Sequence, residues 1–73
     1  MNMMNIYAQK GDKVVVSSLT AGYENEQETV KKHLKLGNTY TVEETKVHSF
    51  YTDVFLQEVP GVRFNSVFFK DAK

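Results

Sequence analysis

No cysteine occurs in this chain, and at 73 residues that absence constrains the fold more than any other feature. Domains this small bury a modest fraction of their surface and often lean on disulfides or a structural metal. Without cysteine, a disulfide frame and a thiolate zinc site are both excluded. Apolar burial at roughly 25 cal/mol per Å² must then offset about 1.5 kcal/mol of ordering entropy per residue. Most large apolar side chains are therefore expected in one core, in a single small β-barrel-like domain over residues 1–73. Self-association is a further source of stability.

Short β-prone segments supply that core. Met1 to Lys10 offers Ile6 and Tyr7 as packing residues after the methionines, and residues 1–9 read as an edge strand or a frayed arm. Gly11-Asp12 signals a turn. Lys13-Val14-Val15-Val16-Ser17-Ser18-Leu19 then places three β-branched residues in a row, as in a strand buried on both faces or rolled into a small barrel. Asn25 to Leu36 predicts a short surface helix. Asn25 can cap it with Glu28 three residues on, and Gly37 follows as the C′ residue. Glu24, Glu26 and Glu28 lie at the positive end of its dipole, and Lys31, Lys32, His33 and Lys35 at the negative end. Val30 and Leu34 share its one thin apolar stripe.

The second half is again β-rich. Thr39 to Val47 predicts a strand with Tyr40 and Val42 on one face, and a bend near Glu44 that returns Val47 to the core. Thr52 to Val59 predicts another, with Val54 and Leu56 on one face and Phe55 on the other. Pro60-Gly61 suits positions i+1 and i+2 of a type II turn and predicts a hairpin to Val62–Lys70. Phe64, Val67, Phe68 and Phe69 are too close for simple alternation, which places a tight turn at Asn65-Ser66 and a short closing strand after it. Lys70 to Lys73 is expected to fray.

Three stretches carry a resemblance: Gly37-Asn38-Thr39-Tyr40-Thr41-Val42, Asp53-Val54-Phe55-Leu56, and Phe64-Asn65-Ser66-Val67-Phe68-Phe69. From Lys10 to Lys70 the layout resembles small SH3-like-barrel proteins of bacteriophages and bacterial mobile elements. Those have a valine-rich first strand, a long variable loop, a Gly-x-x-Tyr-x-Val strand, a hairpin, and a closing Phe-x-Ser-x-x-Phe-like segment. Phe64, Ser66 and Phe69 fit the last. The resemblance implies a mainly β (or α+β) fold, a partly open SH3-like barrel of about five short strands with one short helix in the long loop after the first strand. The matching residues are structural, so the resemblance speaks to fold and not to activity.

Catalytic and metal chemistry find no pattern to attach to. His33 and His48 have no partner at a metal-ligand spacing and read as solvated, although a site assembled in space from His48 and Asp53 is conceivable. Ser17-Ser18 and Ser49 lack a nucleophile-elbow context. Gly11, Gly22, Gly37 and Gly61 stand alone, with turn roles and no phosphate loop. Glu43-Glu44 point to opposite faces of a strand and cannot share a proton. The expectation is a protein that is not an enzyme and takes no cofactor or metal.

Charge narrows the partners. Nine basic residues balance nine acidic ones in dispersed order, which disfavours nucleic acid and argues against a polybasic membrane contact. No segment approaches the ~20 apolar residues of a membrane span and the first residues lack a basic leader, so the chain reads as cytoplasmic. The candidate surface is aromatic: Tyr23 in the long loop, Phe50 and Tyr51 in the central connection, and Phe55 opposite Val54 and Leu56. Core or loop packing is the plainer role for Phe50 and Phe55, the latter under the helix through Val30 and Leu34. The reading is a binding module for a protein partner, and the resemblance implies a phage or mobile-element modulator of a host protein or defence system. Two alternatives stand beside it. One is a nucleic-acid-binding barrel with Tyr40, Tyr51 or Phe55 stacking bases beside Lys13, Lys46 or Arg63. The other is a small-ligand or nucleotide-signal binder at the interface of a homo-oligomer.

Overall fold

The computed structural model describes residues 3–72. Strand β1 (Lys13–Val16) is followed by helix α1 (Glu24–His33), then by β2 (Thr39–Val47), β3 (Thr52–Leu56) and β4 (Val59–Asn65). A 3-10 turn over Ser66–Phe68 leads into β5 (Phe69–Asp71). All pairings are antiparallel, and the strands lie in the order β4-β3-β2-β1-β5 in one open sheet. The fold is mainly β with one helix after the first strand, a geometry consistent with a small, partly open barrel.

The first strand is shorter than expected and has one core face. Val14 and Val16 are buried while Val15 is half-buried. It stops at Val16 because the Ser17 and Ser18 amides both turn to the Phe68 carbonyl, at 2.8 and 3.4 Å. The helix also differs from expectation at both ends. Its N-cap is Tyr23 in extended conformation, not Asn25, and the Tyr23 carbonyl accepts from the Gln27 amide at 2.9 Å. Glu26, not Glu28, reaches back to accept the Tyr23 amide at 3.0 Å. Gly22, at φ +70°, sets this geometry: a Cβ there would lie 3.2 Å from the Phe68 ring and 2.5 Å from the Glu26 carboxylate. At the other end Leu34 leaves the helix in extended conformation and enters the core. Gly37, at φ +86°, serves instead a Lys35-to-Asn38 turn, in which the Asn38 amide donates to the Lys35 carbonyl.

Strand β2 spans the expected residues, and it bends where expected. Val42 faces Leu56 but Glu44 faces Phe55, so Glu43 bulges out of the ladder and lies 3.6 Å from Lys10. The bend does not return Val47 to the core; it stays exposed.

The hairpin is not at Pro60-Gly61. Leu56 pairs with Val59 across the two residues Gln57 and Glu58, and the next pair is Phe55 with Arg63. Pro60, Gly61 and Val62 therefore bulge within β4. Contacts with β2 decide this placement. The Gln57 amide donates to the Thr41 carbonyl at 2.8 Å, and the Glu58 carboxylate accepts the Thr41 amide at 2.8 and 3.1 Å. Proline, lacking an N–H, is tolerated because β4 is an edge strand.

The chain end does not fray at Lys70 and Asp71, which pair with Val15 and Val14 of β1. The Asn65 side chain accepts the Val67 amide at 3.1 Å and so starts the 3-10 turn that lets both Phe68 and Phe69 face inward. The arm before β1 is neither strand nor frayed over its described part. The Met4 amide donates to the Phe69 carbonyl at 3.0 Å along the outer edge of β5, and the Asn5 amide to the Asp71 side chain at 3.0 Å. Met4 and Ala8 are buried there, whereas Ile6 is half-buried and Tyr7 exposed. Met1, Asn2 and Lys73 lie outside the described residues. The core joins Val14, Val16, Val42, Val54, Leu56 and the three buried phenylalanines to Val30 and Leu34 on the helical side.

Candidate functional site

The connection between β2 and β3 is short and pinned from within. The His48 amide donates to the Tyr51 carbonyl at 2.8 Å, and the two rings stack with centroids 4.6 Å apart. His48 Nε2 lies 3.1 Å from Asp53 Oδ2. Asp53 is buried on β3, faces Asn65 across the β3–β4 ladder, and has Arg63 Nε 3.8 Å from its other oxygen. A four-residue loop anchored to a buried carboxylate leaves its tip no freedom to fold inward. Phe50, at that tip, is 97 % exposed.

Helix α1 supplies the facing wall. Tyr23, at its N-cap, is 76 % exposed, and Glu26 in its first turn holds the Tyr23 amide and receives the Asn65 side-chain amide at 3.4 Å. Between the two walls runs a groove of about 290 Å³ lined by Tyr23, Phe50 and Tyr51 together with the polar side chains of Glu26, Asp53, Arg63 and Asn65. A second hollow of about 260 Å³ lies on the other side of Phe50 and Tyr51, with Met3, Ile6, Val47 and Val67 in its wall. Phe50 and Tyr51 thus form a ridge between a polar-lined groove and an apolar one.

Three of the four aromatic candidates are brought together and one is not. Tyr23, Phe50 and Tyr51 line one groove, and Phe50 has no packing role. Phe55 lies on the opposite face of β3 from Val54 and Leu56, beside Glu44 and Arg63, with Lys46 Nζ 5.7 Å from its ring centroid. The helix does not cover it, because Val30 and Leu34 join the core on the Val54 and Leu56 side. Phe55 instead borders a shallow hollow with Glu44 and Pro60. His48, expected as solvated, is half-exposed and held by Asp53. His33 is exposed, with its ring edge-on to Phe64 at 6.3 Å.

Residues that reasoning from the chain alone missed are Glu26, Asp53, Arg63 and Asn65 as a shared polar lining. The first sits there through the true helix start. The other three depend on the β3–β4 register, which the Pro60-Gly61 signal misplaced. Among the described residues no group of three or more histidine or acidic side chains could hold a metal ion. None of the helices there is long and apolar enough to cross a membrane. Tyr40 and Lys13, considered for base stacking, are engaged within the fold: the Tyr40 hydroxyl accepts the Lys35 amide and Lys13 donates to the Thr41 hydroxyl.

Comparison with curated proteins and with solved structures gives no match. A family model does match, and over residues 5–72 it takes in every strand, the helix and both walls of the aromatic groove. The chain belongs to the family described as Bacteriophage T4 protein Y07B.

Proposed function

We propose that this chain is a non-enzymatic binding module, built on an SH3-like barrel, that engages a protein of the infected bacterium in its cytoplasm through the Tyr23, Phe50 and Tyr51 face. The observation that carries the reading is Phe50: a phenylalanine 97 % exposed on a loop that is itself tied down. Isolated exposed apolar residues are ordinary, but a contiguous aromatic patch beside an apolar hollow marks an interaction surface. Rigid aromatic anchors lose little side-chain entropy on binding and dominate interface energetics. The order of strands, with a long helical excursion after the first and a 3-10 turn before the last, supports the SH3-like reading. Membership in a phage family supports a host protein as the partner class.

The groove's size favours a protein over a free small ligand. Clefts that enclose a ligand measure roughly 300–1,000 Å³ and bury most of it. At about 290 Å³ and open to solvent, this groove suits a side chain of a larger partner. The test is affinity capture from infected bacteria with the wild-type protein and with Phe50→Ala, followed by titration of the captured protein in purified form. A hot-spot residue here means a loss of at least 2 kcal/mol, about thirtyfold, in the variant. Equal capture and equal affinity would remove Phe50 from the interface and the proposal with it.

A further inference from the structure

The charges lining the aromatic groove are unevenly answered. Asp53 has both oxygens engaged, one by His48 at 3.1 Å and one by Arg63 at 3.8 Å. Glu26 borders the same groove and has no cation within salt-bridge distance among the described residues. Its partners are neutral donors, the Tyr23 amide at 3.0 Å and the Asn65 side-chain amide at 3.4 Å. The positive end of α1 offsets about half a unit charge and leaves a net negative site. Three aromatic rings surround that site, and ring faces carry the negative side of the π quadrupole. With Glu26 and Asp53 negative and Arg63 positive, the lining keeps one net negative charge, which favours a cation over a carboxylate.

We propose that Glu26 with Tyr23, Phe50 and Tyr51 forms a receptor for one cationic side chain, lysine or arginine, presented by the protein partner. The inference rests on the protein-binding reading above and names the chemistry of what enters the groove. The cation packs against the ring faces that are open to the groove, the Tyr51 face stacked on His48 being already taken, and reaches the Glu26 carboxylate. A residue next to it in the partner can fill the apolar hollow beyond the ridge, where Val47 and Val67 form the wall. Arginine and lysine both satisfy the charge, and the planar guanidinium adds stacking on the rings.

The test needs no knowledge of the partner. Isotope-labelled protein is titrated with the N-acetyl methylamides of lysine, arginine, norleucine and glutamate, following amide shifts by NMR. The expected result is that the lysine and arginine probes shift Gly22 to Gln27 and Ser49 to Asp53. The norleucine probe, equal in apolar reach and uncharged, should bind at least about fivefold more weakly, and the glutamate probe should not bind. Glu26→Gln keeps an acceptor for the Tyr23 amide and should erase the preference for lysine over norleucine. Phe50→Ala, which removes no buried contact, should weaken both cationic probes and guards against misfolding of the first variant. Equal binding of norleucine and lysine on this face would overturn the cation receptor while leaving the protein-binding surface intact. Shifts elsewhere, or none, would overturn the receptor too, and the capture experiment would then decide the surface separately.

Discussion

Glu58 sits on an exposed turn, yet it holds the β2 strand where the sheet changes register. Its carboxylate accepts the buried Thr41 amide and the Thr41 hydroxyl, the latter at 2.8 Å, while Lys13 donates to that same hydroxyl at 2.8 Å. Desolvation pushes the Glu58 carboxyl up, but the Thr41 hydrogen bonds, its own amide and the Lys13 charge outweigh it and hold the group below the ordinary carboxylate value. A depressed folded value means that the stabilisation is present above the unfolded value of about 4.3 and is lost as pH falls through the folded one. Glu58→Gln should therefore cost about 1 kcal/mol at neutral pH, discounted for solvent screening, as measured by urea denaturation. The gap between wild type and variant should close in acid. A gap that stays constant from pH 7 to pH 3 would show that the charge is idle. Nothing local in Gln57-Glu58 announces a turn, since the residue that fixes it lies in another strand.

At the scale of elements, the start of α1 depends on one position without a side chain. Gly22 adopts φ +70° against the buried Phe68 ring, so any L residue there meets both backbone strain and a ring in the core. Gly22→Ala should destabilise by about 2 kcal/mol and displace Tyr23 and Glu26 together. Denaturation reads the first effect and amide shifts around Gln27 the second. An unchanged midpoint would mean that the turn before the helix is more plastic than its geometry. Strand β2 is legible because a stretch rich in β-formers starts directly after the Gly37-Asn38 turn signal and runs to Val47. Strand β4 is not, because Pro60-Gly61 is a strong local signal overruled by contacts that only the folded sheet creates. The same distinction holds for the groove. Tyr23, Phe50 and Tyr51 could be picked out as loop aromatics, whereas Asp53, Arg63 and Asn65 become neighbours only through register.

For the molecule as a whole, stability and the proposed recognition fall on different phenylalanines. Phe68 is fully buried, with its carbonyl held by the Ser17 amide after β1 and its ring against Gly22 before the helix, and Phe68→Ala should cost about 3–5 kcal/mol. Phe50→Ser should leave the unfolding free energy within about 0.5 kcal/mol while lowering affinity for a partner. Parallel denaturation and binding curves for the two variants check this separation. A large stability loss in Phe50→Ser would place that ring in the packing after all. The separation follows from construction: one core serves a chain with no crosslinks, and the rim is attached to it through a buried carboxylate and a short loop.

Each outer margin of the sheet is interrupted at one point. Met4 runs along β5 and donates to Phe69, and Pro60 interrupts β4 where a ladder would need an N–H. On the proposed function, recognition rests on side chains, because backbone pairing is impeded at these points of both edges. For a module with that proposed role, evolutionary contest concentrates on very few codons. On the proposed function, a host protein escapes by exchanging one anchor, and the phage regains it by exchanging one residue around Phe50. Sequence turnover within the family should gather on that rim, while the glycines and valines that set the strands stay fixed.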